Sequence, residues 1–114
     1  MVSLNRDAFA YAKHLVRQGR VVRDEHDDWS EHAPSADDEN TFIAHNDFAV
    51  YAEWYLGVTP GDPKDTKQRY SFPFGDFEKV HRCAVITIES RAAQHDHPDI
   101  AKAAKQLLDL IDSQ

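Results

Sequence analysis

The sequence predicts an all-α fold, a compact bundle of about five helices forming one domain over residues 1–114. Three observations carry this expectation. Apolar residues recur at helical spacing near both ends of the chain, cap residues stand where helices would begin, and the apolar stretch after residue 76 is long enough for several turns.

The first helix is expected at 5–18, where Leu4, Ala8, Tyr11 and Leu15 recur beside Phe9, Ala12 and Val16, and Gly19 supplies the stop. Residues 20–34 lose this pattern and read as a polar loop, with Trp29 the one large side chain able to pin it to the body. Ser35 and Asp38, with Asp37 and Glu39 in the same turn, mark the start of a second helix at 36–45. Asp47 caps a third at 48–56, rich in aromatic rings and closed by Gly57.

Turn chemistry at 59–65 precedes an extended aromatic connector at 69–75, because Phe72 stands before a proline and is biased away from helix. Asp76 then reads as the cap of a fourth helix at 77–94, with Phe77, Val80, Ala84, Ile88 and Ala92 on one face. Within it, the β-branched run at 83–88 has a buried strand as its competing reading. Pro98 opens the last helix at 98–112, whose apolar positions Ile100, Ala103, Ala104, Leu107, Leu108 and Ile111 keep helical offsets.

Charge is unevenly spread. Residues 1–23 carry five bases and one acid, residues 24–63 carry eleven acids and no Lys or Arg, and residues 64–114 carry eight of each. Such a one-signed stretch either faces water and the basic first helix or raises the association rate of a basic partner. Arg6, Lys13 and Arg17 form a short basic stripe, but a net charge of −7 argues against a nucleic-acid surface. A membrane partner is not expected either: no apolar run approaches the ~18 residues a span requires, and the N-terminus lacks a signal-like apolar region. With Cys83 the single cysteine, a cytoplasmic setting is the expectation.

The segments Arg69-Tyr-Ser-Phe-Pro-Phe-Gly-Asp-Phe-Glu-Lys-Val-His-Arg82, Glu89-Ser-Arg-Ala-Ala-Gln94 and Asp99-Ile-Ala-Lys-Ala-Ala104 resemble a family of small uncharacterised bacterial proteins. The likeness spans roughly 26–111 and takes in Asp28-Trp-Ser-Glu-His32 and Tyr51-Ala-Glu-Trp-Tyr-Leu-Gly57. It favours helix at Val85, Ile86 and Ile88, where the family carries more alanine and glycine, and it brings no activity or catalytic residue with it.

No phosphate loop, serine elbow or dinucleotide fingerprint is present, and four glycines leave little room for one. Three readings remain, one of them an acidic mimic of nucleic acid that occupies a basic site on a DNA-binding protein, which would need carboxylates spaced regularly along one face where here they lie largely in loops and at helix starts. The first is a non-enzymatic adaptor or regulatory protein that meets another protein, or a second copy of itself, through acidic and aromatic surface. Its candidate binding residues are Arg69, Tyr70, Phe72, Asp76, Arg82 and Glu89. No cofactor is expected on that reading.

The alternative is a metal-binding protein that holds zinc or a similar divalent ion with His26, His32, His95 and His97 and nearby carboxylates. That requires two loops to meet. Cys83 beside His81 invites a nucleophile reading, but neighbours on a helix point about 100° apart, so a buried thiol is expected. Glu78 and Arg82, and Arg91 and His95, are spaced for surface pairs along the fourth helix.

Overall fold

The computed structural model describes residues 2–24, 29 and 33–114. Among these, helices and short strands are interleaved, in the order β1 (Ser3–Leu4), α1 (Arg6–Arg17), β2 (Val21–Val22), α2 (Ala36–His45), α3 (Phe48–Ala52), β3 (Tyr55–Val58), β4 (Tyr70–Pro73), β5 (Val80–His81), α4 (Arg82–Gln94) and α5 (Pro98–Asp112). The fold is therefore mixed α/β, and the expected all-α helical bundle is corrected.

One sheet is antiparallel in the order β1-β3-β4; the other pairs β2 with β5 in parallel. In the first, Leu4 and Ser71 flank Gly57 on either side. Gly57 is required there by close packing, because a Cβ would stand 2.5 Å from Ser71 Oγ and 2.8 Å from the Phe72 ring. The glycine expected to end a helix thus lies inside a strand, and the helix expected over 48–56 stops at Ala52.

The helix expected from residue 77 begins at Arg82 instead. Residues 74–81 fold back as a tight hairpin, with His81 N–H donating to Phe74 O at 2.9 Å and Asp76 N–H to Lys79 O at 3.2 Å. Val80 and His81 then pair with Val21 and Val22, inside the segment expected to be loop. The run 83–88 is helical, which removes the strand alternative.

Where signals were local, expectation and structure agree. Ser35 and Asp38 form a reciprocal capping box on α2, Asp47 caps α3 through Val50 N–H, and Gly19 takes the positive φ that ends α1. Each cap satisfies a helix-end N–H or C=O that would otherwise lack a partner.

The core is built where α1 and the α4–α5 hairpin close on the three-stranded sheet. Leu15, Val16, Leu56, Phe74, Val80, Val85, Ile88, Ile100, Leu107 and Ile111 are all buried in it. Distant segments are tied across it by Leu4 N–H to Asp99 Oδ2 at 3.0 Å and Arg23 Nη1 to Ile111 O at 2.8 Å. Among the described residues, no helix is long and apolar enough to cross a membrane.

Candidate functional site

The 74–81 hairpin organises the most chemically loaded part of the molecule. Asp76 Oδ1 accepts from the backbone N–H groups of Glu78, at 3.0 Å, and Lys79, at 2.8 Å. It therefore holds a turn of its own, where the sequence predicts a helix cap. Its other oxygen, Oδ2, lies 2.8 Å from His81 Nε2 across the hairpin.

On the opposite edge of the imidazole, Nδ1 lies 2.7 Å from Asp24 Oδ2, and Asp24 Oδ1 accepts the backbone N–H of Cys83 at 2.8 Å. The parallel β2–β5 pairing makes this possible: Val22 stands beside His81, which brings Asp24, two residues further on, to the mouth of α4. Only 5 % of the His81 side chain and 7 % of that of Asp24 is exposed, and Trp29 lies against the ring with centroids 5.4 Å apart.

A neutral imidazole has one N–H and one lone pair, so two flanking carboxylates call for positive charge between them. Burial alone would lower the His81 pKa, but hydrogen bonds and charge from Asp76 and Asp24 outweigh it, and the net shift is upward. For Asp24 burial pushes up, yet the Cys83 N–H and His81 leave the carboxyl below its usual range; Asp76 is likewise lowered by His81 and the turn N–H groups against its burial.

A pH dependence follows. His81, raised above 6.5, contributes stability that is complete below 6.5 and is lost as pH rises through its folded pKa. Asp24 and Asp76, lowered below 3.8, contribute stability that is present above 3.8 and lost as pH falls through their folded values. In chelator-treated protein the urea midpoint should therefore be highest between about pH 4 and 6.5 and decline toward alkaline pH. The alkaline decline should be shallower in His81→Gln; equal slopes in the two proteins would remove His81 as its source.

The outer side of the same hairpin forms one wall of an open groove of ≈ 520 Å³ whose other wall is α2. Phe77 stacks on Phe42 with centroids 4.3 Å apart and planes 12° from parallel. Asp38, Asp76 and Glu78 supply carboxylates around these rings, and His45 completes the α2 side. Phe77 adopts φ +71°, a conformation costly for a bulky side chain, which the Asp76 turn and the Trp54 ring beneath it hold in place.

No side chain of α2 is fully buried, so its seat depends on Phe42, Ile43 and a polar strut. Tyr55 Oη donates to Glu39 Oε2 at 2.9 Å, and Lys67 Nζ lies 3.3 Å from Glu39 Oε1. Burial pushes the Tyr55 phenol far up, so it remains the donor.

The six expected binding residues are dispersed. Arg69 spends its guanidinium on the carbonyls of Pro60, at 3.1 Å, and Asp62, at 2.7 Å, and Tyr70 Oη donates to Lys64 O at 3.1 Å, so both fasten the 59–65 turn. Phe72 is half-buried with its ring edge-on to His97, centroids 6.0 Å apart. Arg82 is bidentate to Asp112 at 2.9 and 3.1 Å, not paired with Glu78 along a helix; Glu89 lies further along α4, partly exposed. Asp76 alone of the six lines the acidic groove.

His95 ends α4 and His97 precedes α5; neither joins a converging set of donor side chains among the described residues. His26 and His32 lie outside the described residues. The set that does converge is Asp24, His81 and Cys83, whose donor atoms all lie within 4.8 Å of one another. Cys83 is buried, as expected, but the helical geometry expected to turn it from His81 does not apply, since His81 ends β5. No protein-family model, curated protein or solved structure matches the chain.

Proposed function

We propose that the protein is a non-enzymatic binding module that docks a basic segment of a partner protein into the groove between α2 and the 74–81 hairpin. The stacked Phe42–Phe77 pair with the carboxylates of Asp38 and Glu78 beside it supports this reading. Aromatic faces with carboxylates beside them suit an arginine or lysine side chain, whose cation lies over a ring while its charge is met at the rim.

Charge pattern supports the same reading: the groove's α2 wall belongs to the 24–63 stretch, where eleven acids stand without a single Lys or Arg. A field of one sign speeds encounter with a basic partner and disfavours acidic ones. The ring pair supplies the buried contact that charge alone does not.

The test is titration of the full chain with an arginine-rich peptide and a glutamate-rich control of equal length, followed by amide NMR. Shifts should cluster at 38–46 and 76–78, and affinity should fall as added salt shortens the screening length. Phe77→Ala should weaken binding by about 2 kcal/mol, and Asp38→Asn with Glu78→Gln by about 1 kcal/mol. Equal binding of both peptides, or shifts spread over the whole surface, would count against the groove. Sedimentation at low salt separates the remaining form of the idea, in which the basic α1 of a second copy fills the groove.

A further inference from the structure

A different observation concerns the side of the hairpin that meets the end of β2 and the start of α4. We propose that Asp24, His81 and Cys83 form a mononuclear site for zinc(II) or a metal ion of the same class.

The donors come from three structural elements and three ligand chemistries, carboxylate oxygen, imidazole nitrogen and thiol sulfur, a mixture that suits zinc better than the all-oxygen sets of magnesium and calcium. Their atoms lie within 4.8 Å of one another. Around a tetrahedral zinc, donors stand about 3.3 to 3.6 Å apart, so His81 Nδ1 and Asp24 Oδ2 would separate by about 0.6 Å to admit the ion.

His81 is already oriented for the task. Its Nε2 faces Asp76 Oδ2 at 2.8 Å, the carboxylate–histidine arrangement that fixes the tautomer of a metal-bound imidazole and leaves Nδ1 to bind. Asp76 is itself locked by two backbone N–H groups, so the orienting carboxylate is rigid. Cys83, the second residue of the 13-residue α4, sits where the helix dipole favours a thiolate.

Charge also balances. Without an ion, the cluster of two carboxylates, an imidazolium and a thiol carries one net negative charge. Binding zinc(II) with release of the Nδ1 and Sγ protons leaves two carboxylates, a neutral imidazole, a thiolate and the dication, again one net negative charge. The buried site can thus exchange two protons for the ion without changing its net charge, which avoids the usual penalty for adding charge to an interior. The three donors found among the described residues leave one tetrahedral position for a further ligand.

The experiment is titration of the reduced full-length chain with cobalt(II) and with zinc(II), read by absorbance and calorimetry. Expected are one ion per chain, tetrahedral cobalt bands, a thiolate-to-cobalt charge-transfer band and release of about two protons per ion. Cys83→Ala, which adds no bulk to the core, should abolish the charge-transfer band. Asp76→Asn should keep the band but weaken binding 10- to 100-fold, roughly the effect of losing an orienting carboxylate. Saturating cobalt binding without a thiolate band, or identical zinc affinity in the parent and Cys83→Ala proteins, would overturn the site. If Cys83→Ala melts early, Asp24→Asn is measured in its place, and unchanged zinc affinity there would overturn the site equally.

Discussion

Replacing His81 with leucine should lower the unfolding free energy of chelator-treated protein near pH 6 by about 3–5 kcal/mol. The side chain is 5 % exposed and separates two carboxylates, one of which, on Asp24, is 7 % exposed. Leucine fills much of the volume but takes the imidazole away from the Asp24 carboxylate, leaving it, among the described residues, the backbone and side-chain hydrogen bonds of Cys83. Removing one member of a buried pair costs far more than the pair contributes, because the survivor stays buried and charged. Changing Asp76 alone should cost less, since its side chain is 35 % exposed and water can replace the lost partner. Urea denaturation of His81→Leu, Asp24→Asn and the double variant measures this: the double variant should recover part of the loss, because no uncompensated charge then remains. A loss below about 1 kcal/mol for His81→Leu would show that the cluster contributes little to folding.

This centre is only partly legible in the sequence. Asp76, His81 and Cys83 each stand out there, but as helix cap, helix residue and core thiol. What joins them is Asp24, 57 residues before His81 and 59 before Cys83, carried in by a parallel pairing of two residues per strand. A two-residue strand has no periodicity to detect, and its partner is chosen by tertiary packing rather than by local sequence.

The same reason explains the mistaken fold class. α2 and α5 lie where expected because caps and apolar offsets are local signals, complete within each helix. In Phe48–Gly57 the rings keep helical spacing for the first turn, but Trp54 closes a turn and Tyr55–Val58 then lies between β1 and β4, buried at all but its last residue. A short buried strand and a buried helix segment look alike in composition; contacts with Ser3 and Tyr70, at opposite removes in the chain, decide between them. Of the groove's rim only Asp38 belongs to the acidic run, and Phe77, expected on the apolar face of a helix, reaches Phe42 only because the hairpin carries it there.

Trp54→Ala should be equally damaging, at about 3–5 kcal/mol, and its effect should reach the groove. The indole is 2 % exposed and sits among three rings from two parts of the chain: Tyr11 of α1 edge-on with centroids 5.5 Å apart, and from the hairpin Phe74 stacked at 5.5 Å and Phe77 edge-on at 6.1 Å. The hairpin is fitted so tightly beneath it that a Cβ on Gly75 would lie 2.6 Å from the indole and 2.4 Å from Lys79 O. Alanine would open a cavity there and withdraw the support that holds Phe77 at φ +71°. Trp54→Phe, which keeps an aromatic ring, should cost about 1–2 kcal/mol and leave the chain folded at room temperature. In that folded variant, basic-peptide affinity should still fall, because a loosened Phe77 must be ordered on binding, while hydrogen exchange should quicken at 75–79 more than in α5. Unchanged affinity with faster exchange would mean that the ring pair need not be preorganised. Unchanged exchange would instead place the strain on Phe77 in the care of Asp76 alone.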